Sequence, residues 1–151
     1  MPPEVIADAT CIIALHRIGR IDILKILYSE VAIPPAIERE IHDISKDWII
    51  TQEVRKSEVA RSLRIYLDEG ESEAIAMALD KRDPLFISDD KKARKAARQF
   101  GIAVTGTIGV LVRAAREGKT TDLKMILDDL RRTGFHMTEE LRKKALEMAG
   151  K

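Results

Sequence analysis

Aspartates directly follow two of the predicted strands. Asp8 comes after the apolar run at residues 5–7, and Asp89 and Asp90 come at the end of the apolar run at residues 85–88. If these strands are parallel, their carboxyl ends lie at one edge of the sheet, where open α/β sheets bind their ligands. The sequence therefore predicts that the three carboxylates lie close together, although they are far apart along the chain.

Two glutamates on predicted helices can reach the same edge. Glu40 lies about a turn and a half into the helix that follows the second strand. Glu73 lies at the N-terminal edge of the apolar face of the helix predicted for residues 71–81. Four segments of the chain thus each supply a carboxylate that is able to join one group.

A group of carboxylates needs a compensating charge. Two carboxylates ~5 Å apart repel each other by about 3 kcal/mol at an effective dielectric constant near 20. The group must therefore take up protons or bind a cation. Oxygen ligands without histidine or cysteine suit Mg²⁺ or Mn²⁺, and such an ion activates water and neutralises charge on a phosphodiester. The predicted chemistry is metal-assisted hydrolysis.

Each acid also has a structural interpretation. Asp8 and the Asp89–Asp90 pair are well placed to cap the helices that follow them. Glu71 and Asp80 are interpreted as solvated charges on their helix. Spacing alone leaves both interpretations open.

Short apolar runs alternate with amphipathic stretches, a pattern that predicts an α/β fold with a mainly parallel sheet. Strands are predicted at residues 5–7, 31–33, 48–51, 85–88 and 102–104. Helices are predicted at residues 11–18, 22–28, 36–43, 57–67, 71–81, 91–100, 107–117, 122–132 and 138–149. We expect a helical hairpin from 57 to 81 that is broken at Gly70.

The length of 151 residues predicts a single domain, with an α/β core at residues 1–118 and a helical C-terminal extension at 119–151. The 26 Lys and Arg nearly balance the 25 Asp and Glu, and the net charge of +1 excludes histone-like and acidic-tail proteins. Nucleic-acid binding stays open, because opposite charges that are segregated in space cancel in the sum.

The only cysteine, Cys11, excludes a disulfide framework and is expected to be buried. We expect a cytoplasmic protein, since no signal peptide or membrane-spanning run is found.

The chain resembles the PIN-domain family, the Mg²⁺-dependent ribonuclease fold that includes toxins of the VapC type. The segments that carry the resemblance are residues 5–10 (VIADAT), 33–40 (IPPAIERE), 70–78 (GESEAIAMA), 86–90 (FISDD) and 104–111 (VTGTIGVL). The resemblance implies a three-layer α/β/α arrangement around a central, mainly parallel sheet of four to five strands, followed by C-terminal helices.

The resemblance also implies a set of site residues. The catalytic, metal-binding carboxylates would be Asp8, Glu40, Glu73 and Asp90, with Asp89 as a further metal ligand. Family members place the last acid two positions after a Ser or Thr, which selects Asp90. Glu73 stands where many members have aspartate, and Thr10 stands where serine is common. Thr10 and Thr107 are expected to support the site, and the cofactor would be Mg²⁺ or Mn²⁺.

Basic residues open the helix beside the predicted acidic site. Lys91, Lys92 and Arg94 are expected to contact an RNA backbone, with a solvated helix face as the alternative. Aromatic residues make up only 4% of the chain, which disfavours base stacking and favours recognition of RNA shape.

The sequence thus predicts an RNA-cleaving hydrolase. The resemblance further implies a toxin of a toxin–antitoxin pair, with a homodimer and a small antitoxin as partners. One alternative is a PIN-like module of weak or no activity that binds RNA or a protein. A receiver-type or haloacid-dehalogenase-like domain fits less well, because the former needs paired acids after the first strand and the latter a second aspartate where Thr10 stands.

Overall fold

A computed structural model describes residues 4–150; the predicted domain ends at residues 1 and 151 lie outside the described residues. The described residues form five strands and nine helices. In chain order these are β1 (Glu4–Ala7), α1 (Ala9–Arg17), α2 (Asp22–Tyr28), β2 (Val31–Ile33), α3 (Pro35–Glu40), β3 (Ile49–Thr51), α4 (Ser57–Leu63), α5 (Glu69–Ala78), β4 (Pro84–Ile87), α6 (Lys91–Gln99), β5 (Ala103–Thr105), α7 (Thr107–Arg116), α8 (Leu123–Arg132) and α9 (Glu139–Met148).

The five strands form one sheet in the order β3-β2-β1-β4-β5, and every neighbouring pair is parallel. In the central strand, Ile6 is in register with Ala32 of β2 and with Phe86 of β4. The carboxyl ends of β1 and β4 therefore lie side by side. The predicted α/β class, with a parallel sheet of four to five strands between helical layers, is confirmed.

The helices pack as two groups, which cover the sheet. In one group α5 contacts α3, α4 and α6; in the other α7 contacts α2, α8 and α9. The strands are apolar on both faces, as expected for a parallel sheet that is covered on both sides. Ile6, Phe86 and Ile87 are fully buried, and Cys11 is also buried, as predicted. Each such large side chain stabilises the fold by roughly 1.5–3 kcal/mol.

Local sequence signals explain most helix starts. Pro34 follows β2, and Pro35 is the first residue of α3. Proline suits the first helical position, because the backbone N–H that it lacks would have no partner within the helix. Asp68 caps α5 by accepting a hydrogen bond from the N–H of Glu71 at 2.7 Å. The predicted break at Gly70 is wrong: α5 already includes Gly70, and the break lies between Leu63 and Asp68.

The C-terminal helices α8 and α9 pack against α7 and each other. The apolar stripe of α8 is buried, for example at Leu127 and Leu130, whereas in α9 Ala145 is buried and Leu141 stays 40% exposed. Arg142 of α9 donates from Nε to Oδ1 of Asp128 on α8 at 2.8 Å, so an ion pair joins the two helices.

Candidate active site

Asp8 lies at the carboxyl end of the central strand and is 5% exposed. Its Oδ1 accepts a hydrogen bond from the N–H of Cys11 at 2.9 Å, which caps α1. Its Oδ2 accepts one from the N–H of Asp89 at 3.2 Å. Burial raises the pKa of the Asp8 carboxyl to about 6 despite these bonds. Asp8 therefore fits both interpretations of the sequence: it caps α1, and it is also the most buried of the acids at this edge of the sheet.

The two aspartates after β4 have different partners. Asp89 is held by Thr107: Oδ1 accepts from the backbone N–H at 2.8 Å, and Oδ2 accepts from the hydroxyl at 2.6 Å. Asp90 caps α6 by accepting from the N–H of Ala93 at 2.9 Å. Thr107, expected to support the site, thus positions Asp89 and leaves Asp90 as the aspartate near α5.

Ser88, whose position in the sequence served only to select Asp90, connects these groups. Its buried hydroxyl accepts a hydrogen bond from the N–H of Asp90 at 3.2 Å and lies close enough to Asp8 to lower the pKa of that carboxyl. Its carbonyl oxygen accepts from Nη1 of Arg94 at 2.8 Å. The available signal was a hydroxyl residue in the last position of an apolar strand, between the strand and two acids.

Glu71 faces the aspartates from the first turn of α5. Partial burial, together with the negative charges of Asp68, Asp90 and Asp8, raises the pKa of Glu71 to about 8. The interpretation of Glu71 as a solvated helix charge is wrong, because its carboxyl group is partly buried among other acids.

Glu73 points elsewhere and has partners of its own. Its Oε1 accepts a hydrogen bond from the N–H of Ala36 at 3.1 Å, and its Oε2 forms an ion pair with Nη2 of Arg64 at 3.1 Å. Residues two apart on a helix lie about 200° apart around its axis, so Glu71 and Glu73 face different neighbours. The structure therefore does not place Glu73 beside the aspartates: Glu73 connects α5 to α3 and to the residue after α4, and its role as a metal ligand stays a prediction.

Glu40, the last residue of α3, lies against the start of α5. A Cβ atom built on Gly70 would lie 2.6 Å from its Oε1, so the absence of a side chain at Gly70 makes room for this carboxylate. Burial and the negative charges of Asp68 and Glu69 raise the pKa of Glu40. The structure thus brings Glu40 to the N-terminal turn that carries Glu71.

The donor set of this edge suits a hard cation. Its charged ligands are carboxylates, and none of Asp8, Glu40, Glu71 or Asp90 forms an ion pair within residues 4–150. No three of the described Asp, Glu, His or Cys side chains are close enough to hold an ion as they stand. Without a cation, the carboxylates repel one another and stay apart. Coordination of an ion therefore requires these side chains to rotate towards one another.

A family model described as a PIN domain matches residues 4–151. The chain belongs to the PIN-domain family. No curated protein matches it. PIN domains are generally nucleases that use divalent metal ions, and the acidic edge of this sheet lies where such chemistry needs oxygen ligands. No helix of residues 4–150 is long and apolar enough to cross a membrane.

Basic residues of this PIN domain flank the acidic edge. Lys91 and Lys92 are exposed in the first turn of α6, whereas Arg94 is half-buried. Lys91 and Arg94, but not Lys92, line a cavity of about 790 Å³ that also contains Asp89. Thr10 is exposed and lines the same cavity.

Proposed function

We propose that the protein is an Mg²⁺- or Mn²⁺-dependent ribonuclease that hydrolyses phosphodiester bonds within RNA. The proposal rests on one observation: Asp8, Glu71 and Asp90 lie at one edge of the sheet, with no basic partner among the described residues, and two of them have raised pKa values. Carboxylates without a basic partner do not stabilise a fold, whereas a site that binds a cation needs their negative charge.

Each carboxylate of the acidic edge would have its own role. Asp8, Glu71 and Asp90 would hold the ion, with Glu40 reaching it from α3 and Asp89 held beside it by Thr107. The bound ion would neutralise charge on the phosphate and lower the pKa of water. Water would give up one proton as its oxygen bonds to phosphorus, one P–O ester bond would break, and the leaving oxygen would take up one proton. Backbone N–H groups of α1 and α6 each hold one oxygen, of Asp8 and of Asp90 respectively, at the carboxyl edge of the sheet.

The direct test compares purified wild-type protein with Asp8→Asn on mixed RNA oligonucleotides in Mn²⁺. We expect cleavage by the wild type and a loss of roughly 100-fold or more in Asp8→Asn, because the deepest oxygen ligand is weakened. Asp22→Asn is the matched control, since Asp22 is an exposed acid on α2 away from the site. It should cleave at the wild-type rate.

Equal cleavage by wild type and Asp8→Asn would reject the assignment. Binding of RNA that ignores Mn²⁺ and survives Asp8→Asn, without any cleavage, would instead favour a non-catalytic PIN module. Matched DNA and RNA oligonucleotides in the same assay check the choice of RNA as substrate.

We also propose, from the family resemblance, that the protein forms a homodimer and acts as a toxin that a small antitoxin neutralises. Exposed apolar side chains support a protein contact, for example Ile65 at 86% and Tyr66 at 54% exposure before α5. Light scattering on wild type and Ile65→Glu checks the dimer. Growth arrest on expression of wild type but not of Asp8→Asn checks the toxin role.

A further inference from the structure

A groove runs from the acidic edge to the C-terminal helices. Its volume is about 790 Å³, and we call it the C-terminal groove. One wall comes from α1 and α7, through residues such as Ile13 and Val112. The other wall comes from the α8–α9 connection and from α9, through residues such as Phe135 and Lys144. Asp89 lies at the end where the groove meets the acids.

The charged side chains of the groove are nearly all basic. They are Arg17, Lys91, Arg94 and Lys144, with His136 beside them. Asp89 is the one acid among its lining residues, and both of its oxygens already accept hydrogen bonds from Thr107. The protein as a whole has a net charge of +1, so this excess of cations is local.

Between the basic residues the walls are apolar. Phe135 is half-buried, whereas Leu141 and Met148 of α9 keep 40% and 54% of their surface exposed. Basic side chains around an apolar floor with one aromatic ring match a single-stranded nucleic acid, whose phosphates carry charge and whose unpaired bases need apolar contact.

We propose that the C-terminal groove binds a single-stranded segment of RNA next to the bond that is cleaved, with the C-terminal helices as one wall. This inference rests on the proposed function, because the groove opens at Asp89 beside the acids that would act on the strand. It departs from the recognition of RNA shape that the low aromatic content favoured. An acidic peptide would also satisfy the cations, but only a substrate strand must continue from the groove into the acidic edge.

Binding is measured by fluorescence anisotropy with a labelled oligouridine of about twelve nucleotides, in EDTA so that no cleavage occurs. Lys144→Glu should raise the Kd about tenfold, because it places a negative charge against the phosphates. Lys143→Glu is the matched control on the same helix: Lys143 is equally exposed but lies outside the groove lining. It should bind within about twofold of wild type.

A second variant tests the apolar floor. Phe135→Leu keeps an apolar side chain of similar burial but removes the ring, and we expect the Kd to rise about fivefold. Its thermal unfolding midpoint shows whether the fold is intact. If Lys144→Glu and Lys143→Glu bind RNA equally, or if Phe135→Leu folds and binds like wild type, the proposal is overturned.

Failure of this inference is distinguishable from failure of the proposed function. Binding in EDTA does not depend on cleavage, so the groove can be tested even if the wild type cleaves nothing. If the wild type does cleave, a trinucleotide too short to fill the groove should be cleaved equally by wild type and Lys144→Glu. An acidic peptide that binds wild type but not Lys144→Glu, with RNA binding unchanged, would assign the groove to a protein partner and overturn the proposal.

Discussion

Two glutamates on one helix have opposite environments. Glu73 is 9% exposed, accepts a hydrogen bond from the N–H of Ala36 and is neutralised by Arg64. Glu71 has no ion-pair partner among the described residues and faces the carboxylates of Asp8 and Asp90. A neutralised glutamate stabilises the fold, whereas one without a partner is available to a cation.

The pair Glu71→Gln and Glu73→Gln applies the same chemical change two residues apart. We expect Glu71→Gln to lower the rate of RNA cleavage in Mn²⁺ by roughly 100-fold. Glu73→Gln should keep cleavage within a few fold of wild type, and it should lower the free energy of unfolding by about 1 kcal/mol, since its ion pair is half-exposed. Cleavage assays and urea unfolding check the two halves. The reverse pattern, with activity lost only in Glu73→Gln, would restore Glu73 to the metal site.

The sequence alone could not separate Glu71 from Glu73. Amphipathic periodicity identifies the buried face of a helix only when another face is exposed. In α5 the residues from Ser72 to Ala78 are all buried, so the pattern shows no polar face to which the acids could be assigned. The aspartates were easier to place, because Asp8 and Asp90 follow parallel strands and their positions depend on the sheet alone.

At the level of elements, the packing of α3 on α5 places Glu40. The two helices meet where Gly70 removes a side chain, so the last turn of α3 approaches the first turn of α5. Gly70 therefore serves the contact between helices and not a turn, which explains why the predicted helix break at this position is wrong.

Gly70→Ala tests this contact. The added Cβ would lie 2.6 Å from Oε1 of Glu40 and 3.1 Å from Cγ1 of Ile37. The flexible carboxylate must move away, while alanine gains up to about 1 kcal/mol of helix propensity over glycine. We expect the free energy of unfolding to change by less than about 1 kcal/mol and the cleavage rate to fall about tenfold, because Glu40 is displaced.

A double-mutant cycle gives the control for this prediction. In a Glu40→Ala background, Gly70→Ala should leave cleavage unchanged, since the carboxylate that it displaces is already absent. An equal loss in both backgrounds would show that Gly70→Ala acts on the helix itself and not through Glu40.

Most of the element order could be predicted, because each strand is a short apolar run and five of the nine described helices begin with proline or a capping side chain. The strand at Val31–Ile33 and the helix at Asp22–Tyr28 have the predicted bounds. The end of α4 was predicted four residues too late, at Leu67, since the chain turns there to place the cap Asp68. A turn set by the contact of α4 with α5 leaves no local signal in the sequence.

For the whole molecule, the net charge of +1 conceals two regions of opposite sign. Acids meet at the carboxyl edge of the sheet, and cations surround the C-terminal groove. The acidic region was predictable from strand order. The groove was not, because it depends on how α9 packs against α7, and that contact joins parts of the chain that no local pattern relates.

The acidic region links the stability of the whole fold to pH. The pKa of Asp8 rises from 3.8 to about 6 on folding, and that of Glu71 from 4.5 to about 8. The folded protein therefore binds more protons than the unfolded chain between these values, and stability must fall as pH rises through them. In EDTA we expect the free energy of unfolding to decrease by on the order of 1–3 kcal/mol from about pH 5 to about pH 8.

A divalent cation should restore the free energy of unfolding that is lost as pH rises. It binds the ionised carboxylates of the folded protein and has no such site in the unfolded chain. Adding Mn²⁺ at about pH 8 should raise the unfolding midpoint of the wild type and flatten the pH dependence. Asp8→Asn should show a smaller slope in EDTA and little stabilisation by Mn²⁺, while Asp22→Asn should behave as wild type. If stability in EDTA rises from about pH 5 to about pH 8, the acids are already compensated within the fold and need no ion.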